Sequence, residues 1–268
     1  GTDLRTPTPI IATITDPNSG GPAVTWTVRL RQPGAADRQI ASGTGLLTNG
    51  TLATIDPTTL ANDNYIVRVE IFKGTEGISQ EIPYTVSGDA KLGQFTTSYN
   101  DLNIPLGGIP LSITRPYSSL DTRKSDFGAG WRLATFGNLT DAPTESPLQG
   151  LRPGHKVYVT LPDGRRVSFR FDPFAPAFLF PYVVTPRFTP DAGVFDKLEV
   201  AETSIFLFDG VAYIDLNNFY NPSRYVLTTK DGVRYEIDET AGVQLIRERN
   251  GNTLTFTPTA IVSSTGVQ

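Results

Sequence analysis

The chain has 268 residues, a formal net charge of −4 and no cysteine. Disulfides, thiolate metal sites and cysteine nucleophiles are therefore excluded. Acidic and basic side chains are spread along the chain, so no basic stripe is present that could bind nucleic acid or an anionic membrane surface. No apolar run is long enough for a membrane span, and we expect neither nucleic acid nor a bilayer as a partner.

The composition predicts an all-β protein. The 25 glycines and 21 prolines disfavour long helices, and the abundant threonine and aromatic side chains suit pleated strands. The length is sufficient for two domains of ordinary size. We predict an N-terminal immunoglobulin- or fibronectin-like sandwich followed by antiparallel β-hairpins.

The sandwich is predicted over residues 7–88, after a polar, patternless stretch at residues 1–6 that we expect to be disordered. Short alternating runs separated by turn clusters are typical of such a domain. The runs lie at residues 10–15, 24–30, 39–41, 51–55, 65–72 and 81–86.

Two aromatic residues sharpen this prediction. Trp26 alternates with Val24 and Val28, which places its ring on the inner face of a sheet. Leu60 followed by Tyr65 is similar to the tyrosine corner of immunoglobulin-like folds. The alternative is that both rings are ordinary core aromatics.

A short polar stretch at residues 87–93 marks the predicted boundary, with a second domain over residues 89–268. Asp-Gly and Asn-Gly pairs at residues 163–164, 209–210, 231–232 and 250–251 predict hairpins with type I′ turns. Residues 157–169 and 225–237 each have the pattern of a complete hairpin. Repeated hairpins of this kind stack on their neighbours. We therefore expect an open sheet edge near residues 261–267, self-association through it, and a longer parent protein.

Four sequence blocks in order carry a family resemblance, at residues 91–95, 99–105, 108–119 and 126–133. They contain an Asp-Leu-x-Ile-Pro stretch, a strand ending near an arginine and a tyrosine, and a Phe-Gly-x-Gly-Trp turn. This arrangement resembles the entry region of RHS/YD-repeat proteins. The motif residues are Asp101, Pro105, Arg115, Tyr117, Phe127, Gly128, Gly130 and Trp131.

A later stretch looks like one YD repeat, with Tyr235 and Asp238 in the eponymous positions and Asn250 and Gly251 downstream. Gly242 departs from the commonest spacing by one residue. The resemblance covers residues 88–140 and 225–264, and an aromatic insertion at residues 169–188 has no counterpart in it.

The resemblance implies a hollow β-shell that, in bacterial toxins, encloses a carboxy-terminal effector. The expected partners are the downstream shell segments or cargo of a parent chain, and the expected location is secreted or on a bacterial cell surface. Neither the effector nor the family's autoproteolytic core segment is in this sequence, so self-cleavage is not carried over.

Little in the sequence favours catalysis. The single histidine, His155, follows a Pro-Gly turn and is predicted to be a surface loop residue rather than a base. Calcium is the best metal candidate, at residues 62–64 and 100–103, but neither cluster has a calcium-loop spacing and turn roles are preferred. We predict no catalytic residue, no metal and no cofactor.

The aromatic insertion is the remaining candidate site. If exposed, it marks a contact surface for protein or glycan; if buried, it plugs or lines the shell, which we prefer. Its central residues are Phe174, Phe178, Phe180 and Tyr182.

Three functions remain open. The first is a non-enzymatic scaffold at the start of an RHS-type shell, and the second is a surface adhesin that binds a glycan or protein receptor. A polysaccharide-active enzyme is the third, which would require two converging carboxylates.

Overall fold

The computed structural model describes residues 2–18, 20–106, 108–125, 127–133, 139–140, 150–160, 166–174, 183–201, 206–208, 213–215 and 218–266. These residues form a nearly all-β structure with one short 3₁₀ helix at Pro57–Thr59, which confirms the predicted fold class. The strands are β1 Thr2–Leu4, β2 Thr8–Ile14, β3 Val24–Arg31, β4 Arg38–Thr44, β5 Leu47–Ile55, β6 Asp63–Lys73, β7 Glu76–Val86, β8 Thr96–Ile104, β9 Leu111–Ser118, β10 Lys124–Ser125, β11 Gly128–Ala129, β12 Leu139–Thr140, β13 Lys156–Thr160, β14 Arg166–Phe171, β15 Val183–Val184, β16 Phe188–Pro190, β17 Lys197–Val200, β18 Phe206–Phe208, β19 Tyr213–Asp215, β20 Asn218–Phe219, β21 Arg224–Thr228, β22 Arg234–Asp238, β23 Gly242–Arg247, β24 Thr253–Phe256 and β25 Ile261–Ser263.

The chain divides into two compact units. Unit 1 comprises Gly1–Phe95 and Ser119–Gly130, and unit 2 comprises Thr96–Ser118 and Trp131–Gln268. The first cut lies between Phe95 and Thr96, after the predicted boundary at residues 87–93. The segment Ser119–Gly130, which we call the strap, lies in the second predicted domain by sequence and in the first unit by structure.

Two sheets of unit 1 share one core between their inner faces, and the strap adds the short strand pair β10–β11. One sheet has the order β1-β7-β6-β3-β4 and the other pairs β2 with β5. The neighbours β3, β6 and β7 and the pair β2–β5 correspond to strands C, F, G and B, E of an immunoglobulin-like sandwich. The buried core takes residues from both sheets: Leu4, Ile10, Ile14, Val24, Val28, Leu30, Leu52, Ile55, Leu60, Tyr65, Val67 and Val86.

Thr2–Leu4 form a strand, contrary to the sequence-based expectation of disorder for residues 1–6. Thr2–Leu4 pair in parallel with Tyr84, Thr85 and Val86 of β7. Leu4 is buried in the sandwich core. One apolar residue at the correct register is enough to order this short strand, because the edge of β7 supplies the backbone hydrogen bonds.

The two aromatic predictions in unit 1 are confirmed. The Tyr65 hydroxyl donates a hydrogen bond to the Ala61 carbonyl over 3.0 Å, which is the geometry of a tyrosine corner. Trp26 packs against the core, and its ring lies so close to Gly43 that a Cβ there would be 2.3 Å from it.

Unit 2 contains a separate hairpin, β8–β9, and three further main sheets. Their orders are β12-β13-β14-β16, β15-β18-β19-β20 and β17-β21-β22-β23-β24-β25. The strands of the predicted hairpins at residues 157–169 and 225–237 pair as β13–β14 and β21–β22. The turn of the first, at residues 161–165, lies outside the described residues. The buried core is Ile109, Leu151, Val157, Val159, Val167, Phe169, Phe171, Val184, Phe188, Leu198, Tyr220, Tyr225, Leu227, Ile237, Val243, Ile246, Leu254 and Phe256.

The Asp-Gly and Asn-Gly hairpins differ from the predicted turn type. Gly232 and Gly251 have φ values of +82° and +93°, whereas neither Asp231 nor Asn250 has a positive φ. The Gly232 N–H donates to the Thr229 carbonyl over 2.8 Å, and Thr229 N–H donates to the Val233 carbonyl over 2.9 Å. These contacts define a three-residue loop with glycine in the left-handed position, not a two-residue type I′ turn. The pairs at residues 163–164 and 209–210 lie outside the described residues.

Among the described residues, no helix has the length and apolar character needed to cross a membrane.

Candidate interaction site

The hairpin β8–β9, here called the entry hairpin, has one apolar and one polar face. Pairing places Tyr99 opposite Arg115, Leu102 opposite Ile113 and Ile104 opposite Leu111. Since side chains alternate between faces, these residues share one face. The opposite face carries polar residues and one proline: Ser98, Asn100, Asn103, Ser112, Thr114 and Pro116.

A bulge keeps the apolar face continuous. The register shifts between Asn100 and Leu102, so Asp101 is the additional residue in β8. Without this shift, Leu102 and Ile104 would lie on the polar face. Tyr99 is 56% exposed, and Leu102 and Ile104 are also exposed, so the apolar face of β8 remains open to solvent among the described residues.

Four side chains form a cluster at one end of the apolar face, which we call the aromatic cluster: Tyr99, Arg115, Tyr117 and Trp131. The Trp131 ring centroid lies 5.0 Å from that of Tyr117 and 5.8 Å from that of Tyr99. The Arg115 guanidinium lies 5.5 Å from the Trp131 ring centroid, within the range of a cation–π contact. Trp131 reaches this position because it forms an antiparallel bridge with Tyr117.

Asp101 holds the guanidinium over the indole. Arg115 donates from Nη2 to Asp101 Oδ1 over 2.7 Å and from Nε to Oδ2. These hydrogen bonds lower the pKa of Asp101 and raise the pKa of Arg115. Both groups are therefore charged at neutral pH, and the pair carries no net charge. The bulge has a second consequence here, because it places this carboxylate at the edge of the cluster.

The cluster has the composition of a contact surface. Its side chains are three aromatic rings and an arginine whose charge is paired with Asp101. Tyrosine, tryptophan and arginine are the residues most enriched at the energetic centres of protein interfaces. Aromatic faces of this kind also stack on sugar rings. The structure thus brings together Asp101, Arg115, Tyr117 and Trp131 of the predicted entry motif.

The other entry-motif residues lie elsewhere. Pro105 is exposed beyond the end of β8. Phe127, Gly128 and Gly130 belong to the strap in unit 1; Phe127 is exposed, and the glycines have φ values of +100° and +79°. Their conformations require glycine, which indicates a turn-forming role.

The YD-type residues have structural roles in the turn between β22 and β23. Asp238 accepts hydrogen bonds from the backbone N–H groups of Thr240 and Ala241 over 2.9 and 2.8 Å. Tyr235 packs against the unit 2 core. Gly242 pairs with Asp238 and has a φ of +77°, so its position is set by the turn. Asn250 and Gly251 occupy a second three-residue loop, in which Gly251 N–H donates to the Glu248 carbonyl over 3.0 Å.

The aromatic insertion divides between core and surface. Phe169, Phe171 and Phe188 are buried, and Phe171 lies 5.3 Å from Phe188 between ring centroids. Phe174 is 49% exposed, with the Arg187 guanidinium 5.3 Å from its ring centroid. Phe178, Phe180 and Tyr182 lie outside the described residues. The aromatic residues at both ends of the insertion are therefore buried, as we preferred, whereas Phe174 is not.

His155 is half-buried in its turn and not fully on the surface as predicted. Burial lowers the pKa of its imidazole to about 4, and the charge of Arg152 acts in the same direction. The Arg152 backbone N–H donates to Nδ1 over 3.2 Å. The imidazole is therefore neutral at pH 7 and is a weak base.

Both calcium candidates use their carboxylates in other contacts. Asp101 pairs with Arg115, as described above, and Asp63 accepts a hydrogen bond from Gln32 Nε2 over 2.8 Å. Within the described ranges, no group of three or more histidine, cysteine or acidic side chains is arranged to hold a metal ion.

Sequence reasoning missed the most buried charges of unit 1. Asp63, Asp121 and Arg123 are buried together with Gln32, and an ion pair of 2.8 Å joins Arg123 to Asp121. Asp63 and Arg123 are 60 positions apart in the sequence, so no local pattern links them. The Asp-x-Arg spacing at residues 121–123 is the sequence feature from which the pairing of Arg123 with Asp121 could have been predicted.

Comparison with known proteins gives one match. A family model described as a domain of unknown function (DUF6531) matches residues 89–169. This region includes the entry hairpin, the strap and β13, ends within β14, and covers less than a third of the chain. No curated protein and no solved structure matches the chain.

Proposed function

We propose that this chain is a non-enzymatic structural scaffold, the opening part of an RHS/YD-repeat shell that contains or presents a downstream toxin or effector. The proposal places the protein outside the cell or on a bacterial surface. The sheet β21-β22-β23-β24-β25 carries it, because consecutive hairpins form an array that is extended by adding further strands. Its last strand, β25, pairs with β24 and has no second strand neighbour among the described residues.

The entry hairpin supports the same proposal. An isolated two-stranded hairpin is marginally stable in water, and here one apolar face is largely open. A face of this kind is expected in a segment that packs against further sheet. An open array also predicts association between chains through its unpaired edge.

Light scattering across a concentration series tests the proposal, with Val262→Lys as the variant. Ile261 packs against the core, whereas Val262, one position later, points to the opposite face. A lysine at position 262 therefore adds charge at the strand edge with little damage to the core. Thr259→Lys is the matched control, because Thr259 is exposed in the loop before β25.

We expect concentration-dependent association of the unaltered chain and of Thr259→Lys, and weaker association of Val262→Lys. Equal association of all three proteins would contradict pairing through β25. Monomers throughout would contradict the open-array proposal and direct attention to the second candidate.

The second candidate is an adhesin that binds a glycan or protein receptor through the aromatic cluster. Its support is the half-exposed ring of Trp131 between Tyr99 and Tyr117. A glycan array read with the unaltered chain and with Tyr99→Ala tests it, because Tyr99 is exposed and its removal spares the core. Binding that is lost in the variant supports the adhesin; binding that is equal in both contradicts this site.

A further inference from the structure

The strap is held on unit 1 by polar contacts. Among its described residues, Asp121 and Arg123 are the buried side chains, whereas Leu120 is half-buried and Phe127 is exposed. Ordering a segment of this length has a large conformational entropy cost. With no apolar side chain fully buried among them, the favourable contacts that offset this cost are mainly polar. Ser119 forms hydrogen bonds with Gly93 and Phe95 at the start of the strap. The buried contacts come from Asp121, Thr122 and Arg123.

The sandwich presents a slot that receives the Arg123 side chain. Asp63, the first residue of β6, is 0% exposed, and its Oδ2 atom lies 3.6 Å from Arg123 Nη1. Gln32 donates to the same carboxylate and accepts a hydrogen bond from Thr122 Oγ1 over 3.1 Å. The aliphatic part of Arg123 lies against the turn at Gly34, where a Cβ would be 3.5 Å from Arg123 Cδ.

The geometry uses the planar fork of the guanidinium. Arg123 Nε donates to Asp121 Oδ1 over 2.9 Å and Nη2 donates to Oδ2 over 2.8 Å, leaving Nη1 directed toward Asp63. Burial disfavours the charge, but the Asp121 hydrogen bonds and the two carboxylates raise the pKa of Arg123 above its usual value. A lysine ammonium cannot reproduce two parallel bonds to one carboxylate and a third contact to another.

We propose that the sandwich contains a guanidinium-specific slot formed by Asp63, Gln32 and Gly34, and that insertion of Arg123 into this slot holds the strap in place. The slot is an arginine-binding site that the chain fills with its own residue. Removing the arginine leaves a buried carboxylate facing a vacant volume, which a free guanidinium ion of the right size can occupy.

The test is chemical rescue of Arg123→Ala in the full chain. Thermal unfolding and hydrogen exchange of β6 and the strap are measured with methylguanidinium or methylammonium, at concentrations well below those that denature proteins. A cation that binds the folded state alone raises its stability by mass action. Arg115→Ala is the matched control, since Arg115 also pairs with an aspartate but lies at the surface.

We expect Arg123→Ala to unfold at a lower temperature and to lose protection in β6 and the strap. Methylguanidinium should restore part of both losses, and methylammonium should not. Arg115→Ala should respond equally to the two cations. Equal effects of the two cations on Arg123→Ala, or no effect of either, would overturn the proposal.

Arg123→Lys provides a second, independent measurement. It keeps the positive charge and much of the side-chain length, so a slot that requires only charge would retain full protection of the strap. We expect protection to be lost; full retention would refute guanidinium specificity. If Arg123→Ala does not fold, the two cations are added during refolding and the yield of folded protein is compared, with the same criteria.

Discussion

Replacing Phe171 by alanine should destabilise unit 2 and leave the sandwich intact. Phe171 is fully buried and lies at the centre of an aromatic group. Its ring centroid is 5.3 Å from that of Phe188, 5.9 Å from that of Tyr220 and 6.0 Å from that of Tyr213.

The expected loss follows from this environment. Replacing a buried phenylalanine by alanine typically costs about 3–5 kcal/mol, including the cavity that remains. Each favourable aromatic pair adds about 0.5–1.5 kcal/mol beyond burial, and Phe171 has three such neighbours. We therefore expect a loss near 5 kcal/mol, comparable to the total stability of about 5–15 kcal/mol of an ordinary protein.

The two tryptophans provide separate reporters. Trp26 lies in unit 1 and Trp131 lies in unit 2, so Trp131→Phe and Trp26→Phe backgrounds isolate one signal each. Urea unfolding is followed by fluorescence with and without Phe171→Ala. The matched control is Phe195→Ala, because Phe195 is also in unit 2 but is 79% exposed.

We expect the Trp131 transition to move to much lower urea and the Trp26 transition to remain unchanged, because the two cores share no residue. Phe195→Ala should change the unfolding free energy by less than about 0.5 kcal/mol, as is usual at exposed sites. A shift of both transitions by the same amount would refute independent cores. An unchanged Trp131 transition would refute cooperative unfolding of the entry hairpin with the core around Phe171.

Three further predictions use local contacts. Tyr65→Phe removes the hydrogen bond to Ala61 and should lower the unfolding free energy of the sandwich by about 1 kcal/mol; an unchanged urea midpoint in the Trp26 signal would contradict the tyrosine corner. His155 has a folded-state pKa below its unfolded value, so the unfolded state binds more protons between about pH 6.5 and 4 and stability falls as the pH is lowered through this window. His155→Gln should flatten this part of the pH profile by at most about 3 kcal/mol, and identical profiles would exclude the assigned environment. Gly251→Ala should cost about 1–2 kcal/mol because its φ is positive and an added Cβ would meet no atom within 4 Å, and Gly251→Asn should cost less; equal costs would argue against the left-handed loop.

The strands of unit 1 were predictable because their signal is local. Alternation of apolar and polar residues places β3 and β6 on a half-buried sheet, and the turn clusters between them set their limits. Leu60 and Tyr65 lie close enough in the sequence for their corner to be recognised as a motif. The two hairpins β13–β14 and β21–β22 were predictable for the same reason.

The turn geometry was less predictable. Asp231-Gly232 and Asn250-Gly251 indicated hairpins correctly, but the dipeptide alone does not determine the loop length. Strand register decides whether two or three residues close the loop, and register depends on which side chains face the core. In a three-residue loop only the glycine adopts the left-handed conformation. The preceding residue, Asp231 or Asn250, does not.

The candidate interaction site was predictable in its members but not in its arrangement. Asp101, Arg115, Tyr117 and Trp131 all stood out in the entry motif, but their contacts with one another did not. Tyr99 was not among the predicted motif residues. The bulge in β8 shifts the strand register by one residue, and no sequence pattern predicted it. It is this shift that brings the carboxylate to the guanidinium and leaves Tyr99 beside Trp131.

The sequence by itself determined the all-β class, the strand-rich sandwich near the N-terminus and the hairpins that follow, because each depends on residues close together in the chain. Only the tertiary structure decided that Thr2–Leu4 form an edge strand and that the strap lies in unit 1. Both features depend on contacts between residues that are far apart in the sequence. Neither residue of such a pair predicts the contact by itself. The ion pair between Asp63 and Arg123 is the clearest example, since burial makes each charge unfavourable alone and acceptable only when the fold brings its partner to it.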